Sequence, residues 1–178
     1  VFIGYFSGGN FQPAQSISIS QTSVSFADVF VTKMNTNTAA FLWATKISAA
    51  NSDVTPSSVA FDNAGDVLVA GSFSGSGLLT IAGSVVANSG QTFSLSTSRA
   101  FIAKLSSNDG SLVWSRVIHC SNYTFARTLL SDSTDSSVYL GLNYLSNSNC
   151  MFTPNTFAAS NSPTVAVIKL NTGTGSTV

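Results

Sequence analysis

One strand-like phrase is written twice at a fixed distance. Residues 28–47, DVFVTKMNTNTAAFLWATKI, and residues 99–118, RAFIAKLSSNDGSLVWSRVI, set Phe30, Lys33 and Trp43 against Phe101, Lys104 and Trp114, each pair 71 apart (104 − 33 = 71; 114 − 43 = 71). A weaker copy, VAVIKL at 165–170, brings in Lys169 (169 − 104 = 65). A second phrase precedes each of these: VFIGYFSG at 1–8, VLVAGSFSG at 67–75 and VYLGLNYLS at 138–146. A third, SSVAFDNAGD at 57–66, is echoed by RTLLSDSTDSS at 127–137. Long internal periods restrict a chain to folds made of like units. We therefore read 1–178 as a single repeat domain with copies at about 1–56, 57–126 and 127–178.

Composition tells what the unit is made of. Glutamate is absent, charged residues make up only 8% of the 178, and Ser, Thr, Val and Phe abound. Such a chain is poor in helix formers and rich in strand formers. Apolar runs of four to eight residues are punctuated by DNAGD and SNDGS, where Asp, Asn and Gly supply tight turns. The unit reads as four short antiparallel strands: SVAFD, VLVAGSF, AFIAKL and SLVWSRVI. Between its second and third strands lie variable segments, 9–27, 76–98 and 147–164, long enough for a loop or an extra hairpin. The expected class is all-β, with four-stranded, propeller-like blades.

The order D-x-F-x-x-K-L, G-x-L-x-W and V-A-F-D-x-x-G-x-V-x-V-x-G-x-F resembles the SBBP-type β-propeller repeat of large secreted proteins. The resemblance covers most of the chain outside the variable segments. It implies a fold and no particular chemistry. The third copy departs from the pattern, lacking the Phe before its Lys and carrying LLSDSTDSS in place of an Asp-x-x-Gly turn. In this register the chain holds about two and a half repeats. It begins at the second strand of one blade and stops after the third strand of another, leaving incomplete blades at both ends. Three partial blades do not close a ring, and open sheet edges seek partners. Identical subunits or flanking repeats, joined head to tail, are the expected partners.

The charge pattern narrows the partners further. Formal net charge is zero and the seven Lys and Arg are scattered, which argues against nucleic acid and anionic membrane. No apolar run is long enough to span a bilayer as a helix, so no membrane insertion is expected. Low charge favours self-association unless something wets the surface, and glycans on Ser, Thr and Asn would do so. Cys120 and Cys150 can form one disulfide, and Asn122-Tyr-Thr124 is an N-glycosylation sequon. Together these point to an extracellular or cell-surface location.

Residues suited to carry chemistry are few. Trp43 and Trp114 recur at equivalent positions, as a packing residue would. Lys33, Lys104 and Lys169 lie within apolar strands, where the stem packs and the ammonium reaches the rim or an Asp. DNAGD lacks the alternating carboxylates of a calcium loop. His119 is the single histidine, so four-ligand zinc sites are out of reach and no cofactor or metal is expected. His119 adjoins Cys120, but a disulfide would consume the thiol of that pair. The sequence reading is a non-enzymatic extracellular structural module that self-assembles as a filament or surface layer. Its alternative is a fragment of a larger propeller that binds a glycan or protein through its loop edge.

Overall fold

The computed structural model describes residues 1–14, 17–23, 25–74, 77–86, 97–146, 150–152, 155–158 and 160–178. Every regular element among them is a β-strand. The first group comprises β1 (Phe2–Phe6), β2 (Asn10–Ala14), β3 (Ile17–Ser20), β4 (Asp28–Met34) and β5 (Phe41–Ala49). The second comprises β6 (Val54–Phe61), β7 (Val67–Ser74), β8 (Leu79–Ile81), β9 (Ser84–Val85), β10 (Ser98–Leu105) and β11 (Leu112–Ile118). The third comprises β12 (Tyr123–Asp132), β13 (Ser137–Ser146), β14 (Cys150–Phe152), β15 (Asn155–Phe157) and β16 (Ser160–Asn171).

The middle group forms the antiparallel order β6–β7–β10–β11, the four strands read from the sequence. Its neighbours repeat parts of that order. The first sheet pairs β1 with β4 and β4 with β5, as β7, β10 and β11 pair. The third pairs β12 with β13 and β13 with β16, as β6, β7 and β10 pair. Pro56 lies in β6 where the register shifts, a position where a missing N–H does not break the ladder.

Cross-strand pairing explains the departure in the third copy. Gly4 lies opposite Phe30 and Gly71 opposite Phe101. A Cβ on either glycine would come within 2.7 Å of the facing ring. The corresponding pair in the third sheet is Leu142 with Ala166, so the large residue has changed strands. Two small residues would leave a void and two large ones would overfill the layer; this exchange keeps the volume.

The sheets pack face to face around two apolar cores. One unites Val29, Val31, Trp43 and Ile47 of the first sheet with Val67, Val69, Phe73 and Phe101 of the second. The other unites Leu68, Ala100, Ile102 and Trp114 of the second with Val138, Leu140, Leu142 and Ile168 of the third. Strand alternation makes this possible, because Leu68 and Val69 are both fully buried on opposite faces of one strand.

Candidate functional site

The residues singled out by the repeat meet at the joints between sheets. At the first joint Trp43 donates its indole N–H to the carbonyl of Ser107 at 3.2 Å, and Lys33 Nζ donates to the same oxygen at 2.7 Å. Thr45 Oγ1 donates to the Gly110 carbonyl at 2.7 Å. At the second joint Trp114 donates to the Thr172 carbonyl at 2.9 Å and Arg116 to the Thr174 carbonyl at 2.8 Å. Each tryptophan thus lies beneath the β-turn loop of the next sheet, 106–111 or 171–176. Buried indole area holds the joint, and its N–H finds a partner in the turn.

A glycine makes this fit possible. Gly110 (φ 73°) and Gly175 (φ 66°) occupy the left-handed position of their loops. A Cβ there would come within 2.6 Å of Trp43 or Trp114, respectively. The equivalent loop, 35–40, has Ala39 at φ 55°. The turn at SNDGS is legible in the sequence; the second duty of Gly110 and Gly175, making room for an indole, involves tryptophans 67 and 61 positions away and is not visible locally.

The three lysines take related but unequal partners. Lys104 Nζ lies 2.6 Å from Asp62 Oδ2 and 3.1 Å from Asp66 Oδ2, with only 9% of its side chain exposed. Burial by itself would lower its pKa, but the two aspartates outweigh that and raise it. Burial would likewise raise the pKa of Asp66; the Ser107 N–H and Lys104 reverse the sign and hold it below its ordinary value. Asp62 Oδ1 meanwhile accepts from the N–H groups of Ala64 and Asp66, so DNAGD is a tight turn that also seats the lysine. Lys169 pairs with Asp135 at 2.7 Å near the surface. Lys33, Ser107, Asp66, Lys104 and Asp62 form one polar chain from the first sheet into the second.

The cysteines are joined as a Cys120–Cys150 disulfide with Cα atoms 4.2 Å apart. Beside it, His119 and Met151 exchange backbone hydrogen bonds of 3.0 and 2.7 Å. His119 is held below its ordinary pKa by burial and by the charge of Arg99. Sequence reasoning passed over Arg99, which is completely buried. Its guanidinium sits 4.5 Å from the centre of the Phe73 ring, and burial lowers its pKa to about 10, so it stays charged at neutral pH. Asn122 lies in the bend before β12 and is half-buried.

The variable segments do not simply line one edge. After β7 the chain returns to the first sheet, where β8 adds to β5 with Ile81 opposite Ile47. After β13 it returns to the second, where β14 meets the end of β11 through the His119–Met151 bridge. An open cleft of about 390 Å³ lies between β6–β7 and β12, lined by Asp53, Thr55, Ser57, Ser72, Phe125 and Arg127. Among the described residues no group of three or more His, Cys, Asp or Glu could hold a metal ion.

No curated protein and no solved structure matches the chain. Residues 42–75, which run from the tryptophan strand β5 through β6 and β7, match the family model of the SBBP beta-propeller repeat. Over residues 42–75 the chain is similar to an SBBP-type beta-propeller repeat.

Proposed function

We propose that the protein is a non-enzymatic structural module of the extracellular space or cell surface, made of about two and a half four-stranded blades. It self-assembles when neighbours complete the blades left open at its two ends. Identical subunits, or flanking repeats of a longer polypeptide, supply the missing strands head to tail. The observation that carries this reading is a difference in strand pairing. Among the described residues, β7 and β10 of the middle sheet each have an antiparallel strand partner on both sides, whereas their counterparts β1 and β16 each have one strand partner, β16 adding only an isolated bridge from Leu170 to Thr177. A row of free main-chain groups is a template for another strand. A disulfide and a sequon at Asn122 support the location, and a glycan on Asn122 would add bulk at a bend without entering a sheet.

The test is sedimentation of the purified chain across micromolar concentrations, with electron microscopy of the same samples. Concentration-dependent assembly into filaments or sheets is expected. A folded, monodisperse monomer throughout would defeat the reading. The second reading, a propeller fragment holding a glycan, draws on the cleft beside Phe125 and Arg127, where an aromatic ring, hydroxyls and charged groups converge. Line broadening of cleft residues by neutral oligosaccharides in an NMR titration would support it.

A further inference from the structure

The two outermost sheet faces are copies of faces that are buried inside. On the first sheet Phe2, Phe6 and Phe30 share the outward face, and their counterparts by register are Val69, Phe73 and Phe101. Those three are at most 2% exposed, whereas Phe2 is 52% exposed. On the third sheet Val165 and Val167 correspond to Ala100 and Ile102. The inner pair is fully buried; the outer pair is 72% and 67% exposed, and Leu130 beside them 66%. One end of the stack therefore presents the surface that elsewhere receives a preceding sheet, and the other presents the surface that elsewhere receives a following one.

The first of these faces is partly covered by its own chain. Phe11, on the β2–β3 hairpin, stacks on Phe30 with ring centres 3.9 Å apart and planes inclined by 14°. Lys46 Nζ holds the far end of the hairpin through the Ser20 carbonyl at 2.8 Å and Thr22 Oγ1 at 3.0 Å. The segments that follow β7 and β13 instead reach across to the preceding sheet. The β2–β3 hairpin lies on the face that such a neighbour would occupy.

We infer that the outward face of β1–β4–β5 is a docking seat for the β12–β13–β16 face of a second copy of this chain, with the β2–β3 hairpin as its movable cover. This rests on the self-assembly reading and names the surfaces that mediate it. Ala39 selects the partner. At both internal joints a tryptophan fills the space over a glycine, and a Cβ there would overlap the ring. The loop bordering the seat carries that Cβ, so the seat rejects a tryptophan-bearing sheet docked in the internal manner. The outward face of β12–β13–β16 offers Leu130, Val165 and Val167 to such a contact. A heterologous contact of this kind propagates or closes a ring according to the rotation per step.

Sedimentation velocity on the full chain and three variants tests the proposal. Phe2→Asp and Val167→Asp place a charge on an exposed position of each face and are expected to raise the concentration for half-association at least tenfold. Phe11→Ser loosens the cover and is expected to lower it severalfold. Thermal melts identify any variant that fails to fold, and Leu130→Asp serves as the second probe of the far face. Assembly that is unchanged in Phe2→Asp and in both far-face variants overturns the seat while leaving self-assembly through strand edges standing. An unchanged Phe11→Ser overturns the cover. If the wild type remains a folded monomer throughout, the self-assembly reading falls as well.

Discussion

Ala39 and Gly110 do the same job in two loops under different constraints. Ala39 is exposed and held at φ 55°, a conformation that strains any residue with a Cβ. Ala39→Gly is expected to stabilise the isolated chain by about 0.5–1 kcal/mol, since relief of that strain outweighs the added freedom of the unfolded state. Gly110→Ala combines the strain with a contact of 2.6 Å to Trp43 and should cost upwards of about 2 kcal/mol. Urea unfolding of both variants checks the opposite signs. The lysines offer a second residue-scale test. Lys104 is raised above its ordinary 10.5, so its contribution is complete below that pH and is lost as pH rises through the higher folded value. Asp66 is lowered below 3.8, so its contribution is present above that pH and is lost as pH falls through the lower folded value. Lys104→Met leaves two carboxylates together and should lower stability near neutrality by about 3 kcal/mol. It should also erase this lysine's alkaline limb in a plot of melting temperature against pH. The sequence disclosed that these lysines were equivalent. It did not disclose that Lys104 would be buried between two aspartates while Lys33 takes a carbonyl, because those partners come from different loops.

At the scale of elements, the repeat made the four strands of the middle sheet legible, including the turns at 62–66 and 106–111. Pattern and turn chemistry act locally there, so a single sequence suffices. The variable segments were less readable because their strands are short and find their partners within the segment or in a sheet formed by another repeat copy. β8 is three residues long and is held between β5 and the two-residue β9. β14 depends on a stronger tie, the Cys120–Cys150 disulfide beside its two backbone bonds to His119. Closing a 30-residue separation stabilises by about 3–4 kcal/mol in the chain-entropy model. The double variant Cys120→Ala, Cys150→Ala is expected to lose about that much in urea unfolding. Amide exchange should then accelerate at Met151 before it does in β10, because the core strands keep their own ladders.

For the molecule as a whole, the first sheet shares a core with the second and the second with the third, so stability divides among joints as it does in other repeat architectures. Each joint carries its own tryptophan, which makes the two separately observable. The second joint has the disulfide, a parallel contact between Ser98 and Tyr123, and a bond of 3.0 Å from Ala126 N–H to Ser72 Oγ. The first has the β5–β8 pairing and the polar chain through Ser107. In single-tryptophan variants, Trp43 fluorescence is expected to change at a lower urea concentration than Trp114 fluorescence. Coincident transitions would mean that the three sheets unfold as one cooperative body. The all-β class was legible in composition and the repeat in its period, while the use of the outer faces depends on which side chains each sheet turns outward. That assignment needed the registers, since a slip of one residue reverses every face.

The exchange of large and small residues between Phe101–Gly71 and Ala166–Leu142 also bears on how such a chain can descend. Copies of a repeat are exchanged and multiplied by recombination between similar stretches of gene. A crossover falling between the codons for β7 and β10 would unite a leucine from one copy with a phenylalanine from another, or a glycine with an alanine. The first product has no room for its rings, and the second encloses a gap. The first two copies share the glycine–phenylalanine order and exchange freely there, but in any exchange with the third copy only breakpoints outside that pair of strands yield a protein that packs. In such exchanges β7, β10 and the variable segment between them travel together, and the most changeable stretch of the chain is locked to its most exacting pair.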